Sequence, residues 1–153
     1  MVHLGDVVDR RKFINHNTAH NFKKVFWNKL EELNIDTHII IGNHDTYYKN
    51  TNEVNALQNL NISKDAKIYT RPDTVNFGGL DILFLPWICD DNYDDSLYSI
   101  DNSTTTIAMG HLEVKGFEMH KGHFNDHGLE KTQFNKFEKV LSGHFHKKSD
   151  DGR

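Results

Sequence analysis

The sequence lacks several features that would assign it to a particular class of protein. One cysteine, Cys89, stands among 153 residues, so no internal disulfide can form, and a reducing compartment is favoured. The most apolar stretch, 80–89, contains Asp81 and Pro86 and is far shorter than the roughly 20 residues of a membrane span. The first residues lack the basic and apolar segments of a secretory signal. We therefore expect a cytoplasmic protein that enters no membrane.

The chain also lacks an excess of positive charge. Its Lys and Arg number 18 against 22 Asp and Glu, which gives a formal net charge of −4 at pH 7. A polyanionic ligand would have to be held by local charge or by metal ions, because the chain as a whole does not attract it. The sequence contains 11 histidines, which is many for this length, and some of them are candidates for chemistry.

Four apolar, strand-like runs each end in a glycine that is followed by polar side chains. These runs lead into Gly5-Asp6, Gly42-Asn43-His44-Asp45, Gly110-His111 and Gly143-His144-Phe145-His146. In α/β proteins the carboxyl ends of parallel strands carry the functional loops. The pattern therefore predicts an α/β fold that delivers these side chains to one edge of a sheet.

A helix separates the first two of these strands. Apolar residues at helical spacing predict it over 18–33, with Asn17 or Thr18 as the N-cap and Asn34 in the left-handed conformation at its end. A strand, a helix of this length and a second strand at 38–41 form a βαβ unit, so the two strands should be parallel. Further along the chain we predict strands at 66–69, 105–109 and 139–141, a Gly-Gly hairpin over 75–85, short helices within 53–60 and 130–137, and an acidic loop at 90–95.

The polar residues after these strands are suitable ligands for divalent metal ions. The candidate ligands are Asp6, Asn43, His111, His144 and His146. They offer carboxylate, amide and imidazole atoms and no thiolate, which suits manganese, iron or zinc. A carboxylate can bridge two ions, and two ions about 3.5–4 Å apart are a standard device for phosphate ester hydrolysis.

Other residues in the same loops could take part in that chemistry. His44 is followed by Asp45, and a histidine oriented by an aspartate is suited to protonate a leaving alkoxide. Arg10 and Arg11 follow the first motif, where a guanidinium could hold a phosphate with two hydrogen bonds. Each motif alone could be only a turn, since Gly, Asn and Asp are turn formers. All four in order, each after an apolar strand, favour a functional site.

Taken in order, these motifs resemble the calcineurin-like metallophosphoesterase superfamily, whose signature is G-D-x-x-D, G-N-H-D, G-H and G-H-x-H. More narrowly, the chain resembles the SbcD/Mre-type nuclease subunits of double-strand-break repair complexes, and among these the recombination endonuclease subunits of T-even-type phages. Further family-like stretches are Tyr48-Lys49-Asn50, Leu85-Pro86-Trp87, Gly110-His111-Leu112-Glu113, Gly116-Phe117 and His127-Gly128-Leu129-Glu130.

The resemblance implies a β-sandwich flanked by helices and two bound divalent ions, Mn²⁺ first, with Fe, Zn and Mg as alternatives. Asp6 would bridge the ions; Asn43, His111 and His144 would complete one of them; and His146 would belong to the other. His44 would act on the leaving group with support from Asp45, and Asp9 would tie the first loop together. Arg10 and Arg11, from their chemistry and position in that loop, are the candidate substrate-binding residues.

The resemblance also implies an activity and partners. The implied protein is a metal-dependent DNA phosphodiesterase, exonuclease and endonuclease, that acts in recombination and repair beside an SbcC-type, SMC-like ATPase. It would be a homodimer at full length, in the bacterial host cytoplasm if a phage encodes it. The family pattern begins with a strand ending in D-x-H and continues into capping and ATPase-binding regions. We expect 1–153 to be a single partial nuclease domain, incomplete at both ends, whose second ion keeps only Asp6 and His146.

Two other functions remain open. The stretch from Gly5 to Arg11 resembles the G-D-x-V-D-R-G motif of serine/threonine protein phosphatases, which suggests a phosphomonoesterase. Those phosphatases generally have a glutamate where this chain has Asp45, and they lack the closing G-H-x-H. The third candidate is a catalytically inactive, truncated remnant that binds DNA or a partner without cleaving.

Overall fold

The computed structural model describes residues 1–60 and 66–147, which form two β-sheets packed face to face. In chain order the strands are β1 (Val2–His3), β2 (His38–Ile40), β3 (Lys67–Tyr69), β4 (Asp73–Phe77), β5 (Leu80–Leu85), β6 (Ile107–Gly110), β7 (Glu118–His120), β8 (His123–Phe124) and β9 (Lys139–Ser142). The first sheet has the order β1-β2-β3, the second has the order β4-β5-β6-β9, and β7 and β8 form a separate hairpin. The predicted α/β fold with a helix-flanked sandwich is confirmed.

The predicted helix between β1 and β2 is present. It runs through α1 (His16–Asn21), a π-helical segment (Phe22–Trp27) and α2 (Asn28–Glu32). The N-cap prediction is wrong: Asn15 caps the helix, because its Oδ1 accepts the Thr18 N–H at 2.8 Å. Asn34 has φ of 50° at the other end, as predicted, and the chain turns back there. The remaining helices are α3 (Ala56–Asn59), α4 (Tyr93–Asn102) and 3₁₀ turns at Asp90–Asn92 and Lys131–Phe134.

The β-branched run at the end of β2 is buried on both faces. Ile39 and Ile41 pack with Trp27 and other residues of the helical layer. Ile40 points the other way, because side chains alternate along a strand, and it packs against Phe84 of the second sheet. All three isoleucines are at most 1% exposed. Burial on both faces explains why this strand is a continuous apolar run rather than an alternating one.

The prediction of an acidic loop at 90–95 is wrong, because this stretch starts a helix. Asp90–Asn92 forms a 3₁₀ turn that leads into α4, and the Asn92 side chain accepts the Cys89 N–H at 2.9 Å. Acidic residues favour the first turn of a helix, since the helix dipole is positive there. Ile100 of α4 is fully buried against the outer face of the second sheet.

The strand pairings bring the four predicted motifs to one edge of the molecule. β1 and β2 are parallel, as predicted, and β5, β6 and β9 are parallel to one another. The predicted hairpin of β4 and β5 turns through Gly78 and Gly79, which have φ of 62° and 102°.

None of the helices in the described ranges has the length and apolar composition needed to cross a bilayer.

Candidate metal centre

Four polar side chains meet where the carboxyl ends of the two sheets come together. Asp6 and Asn43 follow β1 and β2 of the first sheet, and His111 and His144 follow β6 and β9 of the second. His111 Nε2 lies 2.9 Å from Asn43 Oδ1, 3.3 Å from Asp6 Oδ2 and 3.3 Å from His144 Nδ1. His144 Nδ1 lies 3.1 Å from Asn43 Oδ1. The sequence-predicted convergence of these four residues is therefore present.

The atoms that meet here are mostly hydrogen-bond acceptors. The His111 Nδ1–H donates to the Leu4 carbonyl at 2.7 Å, so a neutral His111 ring, the form that binds metal ions, presents a lone pair on Nε2 to the cluster. Burial first, and then the neighbouring His111, lower the pKa of His144 to about 4, so this ring is neutral near pH 7. A neutral His144 has at most one N–H at Nδ1, which cannot satisfy both Asn43 Oδ1 at 3.1 Å and the Nε2 of a neutral His111 at 3.3 Å.

A divalent cation would satisfy all of these acceptors. Nitrogen and oxygen ligands lie about 2.0–2.2 Å from zinc-like ions, so neighbouring ligands at octahedral or tetrahedral angles lie about 2.8–3.6 Å apart. The distances of 2.9 to 3.3 Å among the four side chains fall close to that range. The residues present therefore fit a bound ion of the manganese, iron or zinc class.

Asp6 supplies the negative charge of the cluster. Burial raises its pKa, but the neighbouring His111 imidazole and the His44 N–H, 2.8 Å from Asp6 Oδ1, outweigh burial and hold the pKa below its ordinary value. Asp6 has φ of 55°, a conformation that aspartate tolerates better than most residues. Gly42 lies directly against it, and a Cβ at that position would come within 2.2 Å of the Asp6 backbone nitrogen. The glycine is thus required for the close approach of the first two loops.

His44 and Asp45 have different contacts from those predicted. The His44 Nδ1–H donates to the Asp9 carbonyl at 2.6 Å, so the backbone of the first loop orients this ring. The buried Asp45 carboxylate instead accepts the N–H groups of Asp6, Val8 and Gly42 at 2.9, 3.1 and 2.9 Å. The predicted support of His44 by Asp45 is replaced by these three bonds, because the Asp45 carboxylate points at the first loop. Asp45, rather than the 92% exposed Asp9 side chain, ties that loop down.

Comparison with known proteins identifies the family. The model of the calcineurin-like phosphoesterase family matches residues 1–148. The chain belongs to the calcineurin-like phosphoesterase family. It is 38% identical over 147 residues to exonuclease subunit 1 of Enterobacteria phage T4, an alignment that covers 95% of this chain and 42% of that relative. The chain thus spans less than half of the length of the relative. The resemblance that the motifs indicated is confirmed, and the use of divalent metal ions by this family agrees with the cluster.

The remaining candidate residues lie outside this cluster. His146 is exposed and is not among the residues, Asp6, His111 and His144, whose ligand atoms lie within 4.8 Å of one another. Arg10 is exposed, with its Nε 3.9 Å from Asp9. Arg11 donates to the Thr46 hydroxyl at 3.3 Å and the Tyr48 carbonyl at 3.4 Å, so it braces the loop after β2.

Sequence reasoning missed three contacts of the candidate metal centre. The carbonyls of Leu4 and Asp9 orient His111 and His44, and no side-chain pattern reports on a backbone carbonyl. The Trp87 ring lies 5.5 Å from the His144 ring. The signal for Trp87 was the family-like Leu85-Pro86-Trp87 stretch at the end of an apolar strand, to which no role was assigned.

Asp45→Asn is expected to lower the free energy of unfolding by about 1–3 kcal/mol. The substitution replaces one carboxylate oxygen with an NH₂ group, which cannot accept hydrogen bonds from the buried N–H donors. Urea unfolding followed by circular dichroism measures the change. Asp9→Asn is the matched control, because its exposed side chain should shift stability by less than about 0.5 kcal/mol. An Asp45→Asn chain as stable as the unmodified chain would contradict the assigned role of Asp45 in tying down the first loop.

Proposed function

We propose that this chain carries the catalytic centre of a metal-dependent DNA phosphodiesterase, a nuclease with exonuclease and endonuclease activity in recombination and repair. The observation that carries the proposal is the convergence of Asp6, Asn43, His111 and His144 from two sheets onto one point. Membership of a phosphoesterase family and the name of the T4 relative, an exonuclease subunit, support the same conclusion.

In this proposal the four converging side chains would hold one ion, and Asp6 and His146 would be ligands of a second. Bound ions would neutralise charge on the phosphate oxygens and supply an activated water as the nucleophile. Mn²⁺ is the ion that we propose, because carboxylate, amide and imidazole ligands without thiolate suit it. Asp6 is charged for this task, since its pKa lies below the ordinary value.

His44 is proposed as the proton donor to the leaving oxygen. Its Nδ1–H is committed to the Asp9 carbonyl, so Nε2 is the atom that can carry and release the second proton. The His44 backbone N–H also bonds Asp6 Oδ1, which keeps the donor next to the metal ligand. Arg10 is proposed to contact the phosphate backbone, since it is exposed in the same loop, and Arg11 to hold that loop against Tyr48.

The partners follow from the same reasoning. The T4 relative is named as a subunit, which supports a protein that works with at least one other subunit. We propose that this partner is an SMC-like ATPase of the SbcC type, that DNA is the substrate and that the full-length protein is a homodimer. With a net charge of −4 on the chain, contact with DNA would depend on local cations such as Arg10 and on the bound ions.

The test compares a phosphodiester with a phosphomonoester. In the presence of Mn²⁺, we expect the full-length protein to hydrolyse bis(4-nitrophenyl) phosphate with a kcat/KM at least about tenfold above that for 4-nitrophenyl phosphate. Linear double-stranded DNA should be degraded under the same conditions, and chelation of the metal should stop both reactions. A preference for the monoester would favour the protein-phosphatase alternative, and failure to hydrolyse either ester would favour an inactive remnant.

A further inference from the structure

The metal centre is divided between two sheets, so its geometry depends on what joins the sheets at this edge. The segment after β5 makes that join with its backbone. The Leu85 carbonyl accepts the His111 N–H at 3.0 Å, within the second sheet. Two residues later, the Trp87 N–H donates to the Ile41 carbonyl at 2.7 Å, on the first sheet. Ile41 lies two residues before Asn43, so both halves of the centre are bonded to one short segment.

The backbone of this segment is held by buried amide side chains. The Trp87 carbonyl accepts the Asn52 Nδ2–H at 2.8 Å and the Asn92 Nδ2–H at 3.0 Å. Asn52 and Asn92 are 2% and 1% exposed, and both are fixed by further bonds: the Asn55 Nδ2–H donates to the Asn52 carbonyl, and the Cys89 N–H donates to Asn92 Oδ1. The peptide groups of Trp87 are thus bonded on both sides to buried partners, which restricts movement of this residue.

The indole ring that this backbone presents packs on the histidines of the centre. Its centroid lies 5.5 Å from that of His144 and 6.4 Å from that of His111. The indole Nε1 is buried and has no hydrogen-bond partner among the residues that the structure describes. The orientation of the ring is therefore set by packing and by the hydrogen-bonded backbone of Trp87. The His144 ring also packs against Phe145, with centroids 5.0 Å apart, so two aromatic rings contact its imidazole.

We propose that Trp87 is a positioning residue of the metal centre: with Asn52 and Asn92, it sets the spacing of the two sheets and holds the His144 ring in the ligating orientation. Trp87 contacts the candidate ligands His111 and His144. The inference rests on the proposed function in one respect, namely that Asp6, Asn43, His111 and His144 bind a metal ion.

The first test measures the affinity of the chain for Mn²⁺ by isothermal titration calorimetry. Trp87→Ala is expected to weaken binding by about 10–100-fold, the usual cost of removing a group that orients metal ligands. Trp87→Phe should stay within about threefold of the unmodified chain, because a ring still packs on His144 and no hydrogen bond is lost. Asn92→Ala leaves the indole in place but removes one of the two amide hydrogen bonds to the Trp87 carbonyl, so it should weaken Mn²⁺ binding as well. Circular dichroism checks that each variant is folded.

Trp27→Leu is the matched control. Trp27 is the other tryptophan of the sequence; it is 3% exposed, packs in the helical layer and donates to Glu31. Its replacement removes packing of an aromatic ring in the helical layer and should leave the affinity for Mn²⁺ unchanged. A loss of affinity in Trp27→Leu as large as that in Trp87→Ala would overturn the proposal, because general destabilisation would then account for both.

A spectroscopic test follows from the position of the indole. The sequence contains two tryptophans, so Trp27→Phe leaves Trp87 as the one fluorophore of its kind in the chain. Paramagnetic Mn²⁺ should quench Trp87 fluorescence with the same dissociation constant that calorimetry gives. Binding without quenching would overturn the proposed contact between the indole and the centre.

The outcomes separate the two proposals. If the unmodified chain does not bind Mn²⁺, the proposed function fails and the inference on Trp87 fails with it. If the unmodified chain binds Mn²⁺ and folded Trp87→Ala binds equally well, only the inference on Trp87 is overturned. Weakened binding in Trp87→Ala together with retained binding in Trp87→Phe and Trp27→Leu supports the positioning role.

Discussion

Replacing Asp6 with alanine is expected to abolish metal binding and phosphodiester hydrolysis together. Asp6 is the carboxylate of the cluster, and its Oδ2 lies 3.3 Å from the His111 Nε2. Without it, the remaining ligands are neutral amide and imidazole groups, and we expect the affinity for Mn²⁺ to fall by more than about 100-fold. Calorimetry and metal analysis of the purified full-length protein measure binding, and DNA degradation measures activity.

Two further variants separate the loss of the Asp6 charge from other effects of the substitution. Asp6→Asn keeps a side chain that tolerates the positive φ of 55°, so a loss of binding in this variant is due to the missing charge and not to a distorted backbone. Asp101→Ala removes an exposed carboxylate on α4, away from the cluster, and should bind normally. If the Asp6→Ala protein still held two ions, the assignment of Asp6 as a bridging ligand would be wrong.

The convergence of the four candidate ligands could be predicted because it follows from strand direction. Parallel strands end at the same edge of a sheet, and each motif directly follows an apolar run. Asp6 and His111 were therefore expected at the edge formed by the carboxyl ends of the strands in their sheets. The sequence pattern did not report how the two sheets face each other. That arrangement depends on residues such as Ile40 and Phe84, whose partners are distant in the chain.

The contacts within the loops could not be predicted in the same way. Asp45 is adjacent to His44 in sequence, which favoured a pair, yet its carboxylate binds three backbone N–H groups from two loops. Which of these partners it takes depends on how the loop after β1 folds back, and that fold includes Asp6 at positive φ. The helix α4 was missed for a related reason, since its acidic first turn has the composition of a solvated loop.

Replacing His44 with alanine is expected to lower the kcat for DNA cleavage by about 10²–10⁴-fold, the usual contribution of a general acid, while the metal remains bound. The bond from His44 to Asp6 is made by its backbone N–H, which alanine retains, so the cluster should keep its geometry. Calorimetry with Mn²⁺ should give an affinity close to that of the unmodified protein. A His44→Ala protein that loses its metal would show that the ring supports the metal centre itself.

A comparison of two leaving groups tests whether His44 acts as the general acid. A DNA alkoxide needs a proton to leave, whereas 4-nitrophenolate is stable without one, so removing a proton donor should slow DNA cleavage far more than hydrolysis of bis(4-nitrophenyl) phosphate. Equal losses on the two substrates would contradict the assignment, because a residue that only binds or orients the phosphate affects both. The structure indicates which nitrogen would deliver the proton. The Asp9 carbonyl accepts the Nδ1–H of His44 at 2.6 Å, which leaves Nε2 to protonate the DNA alkoxide.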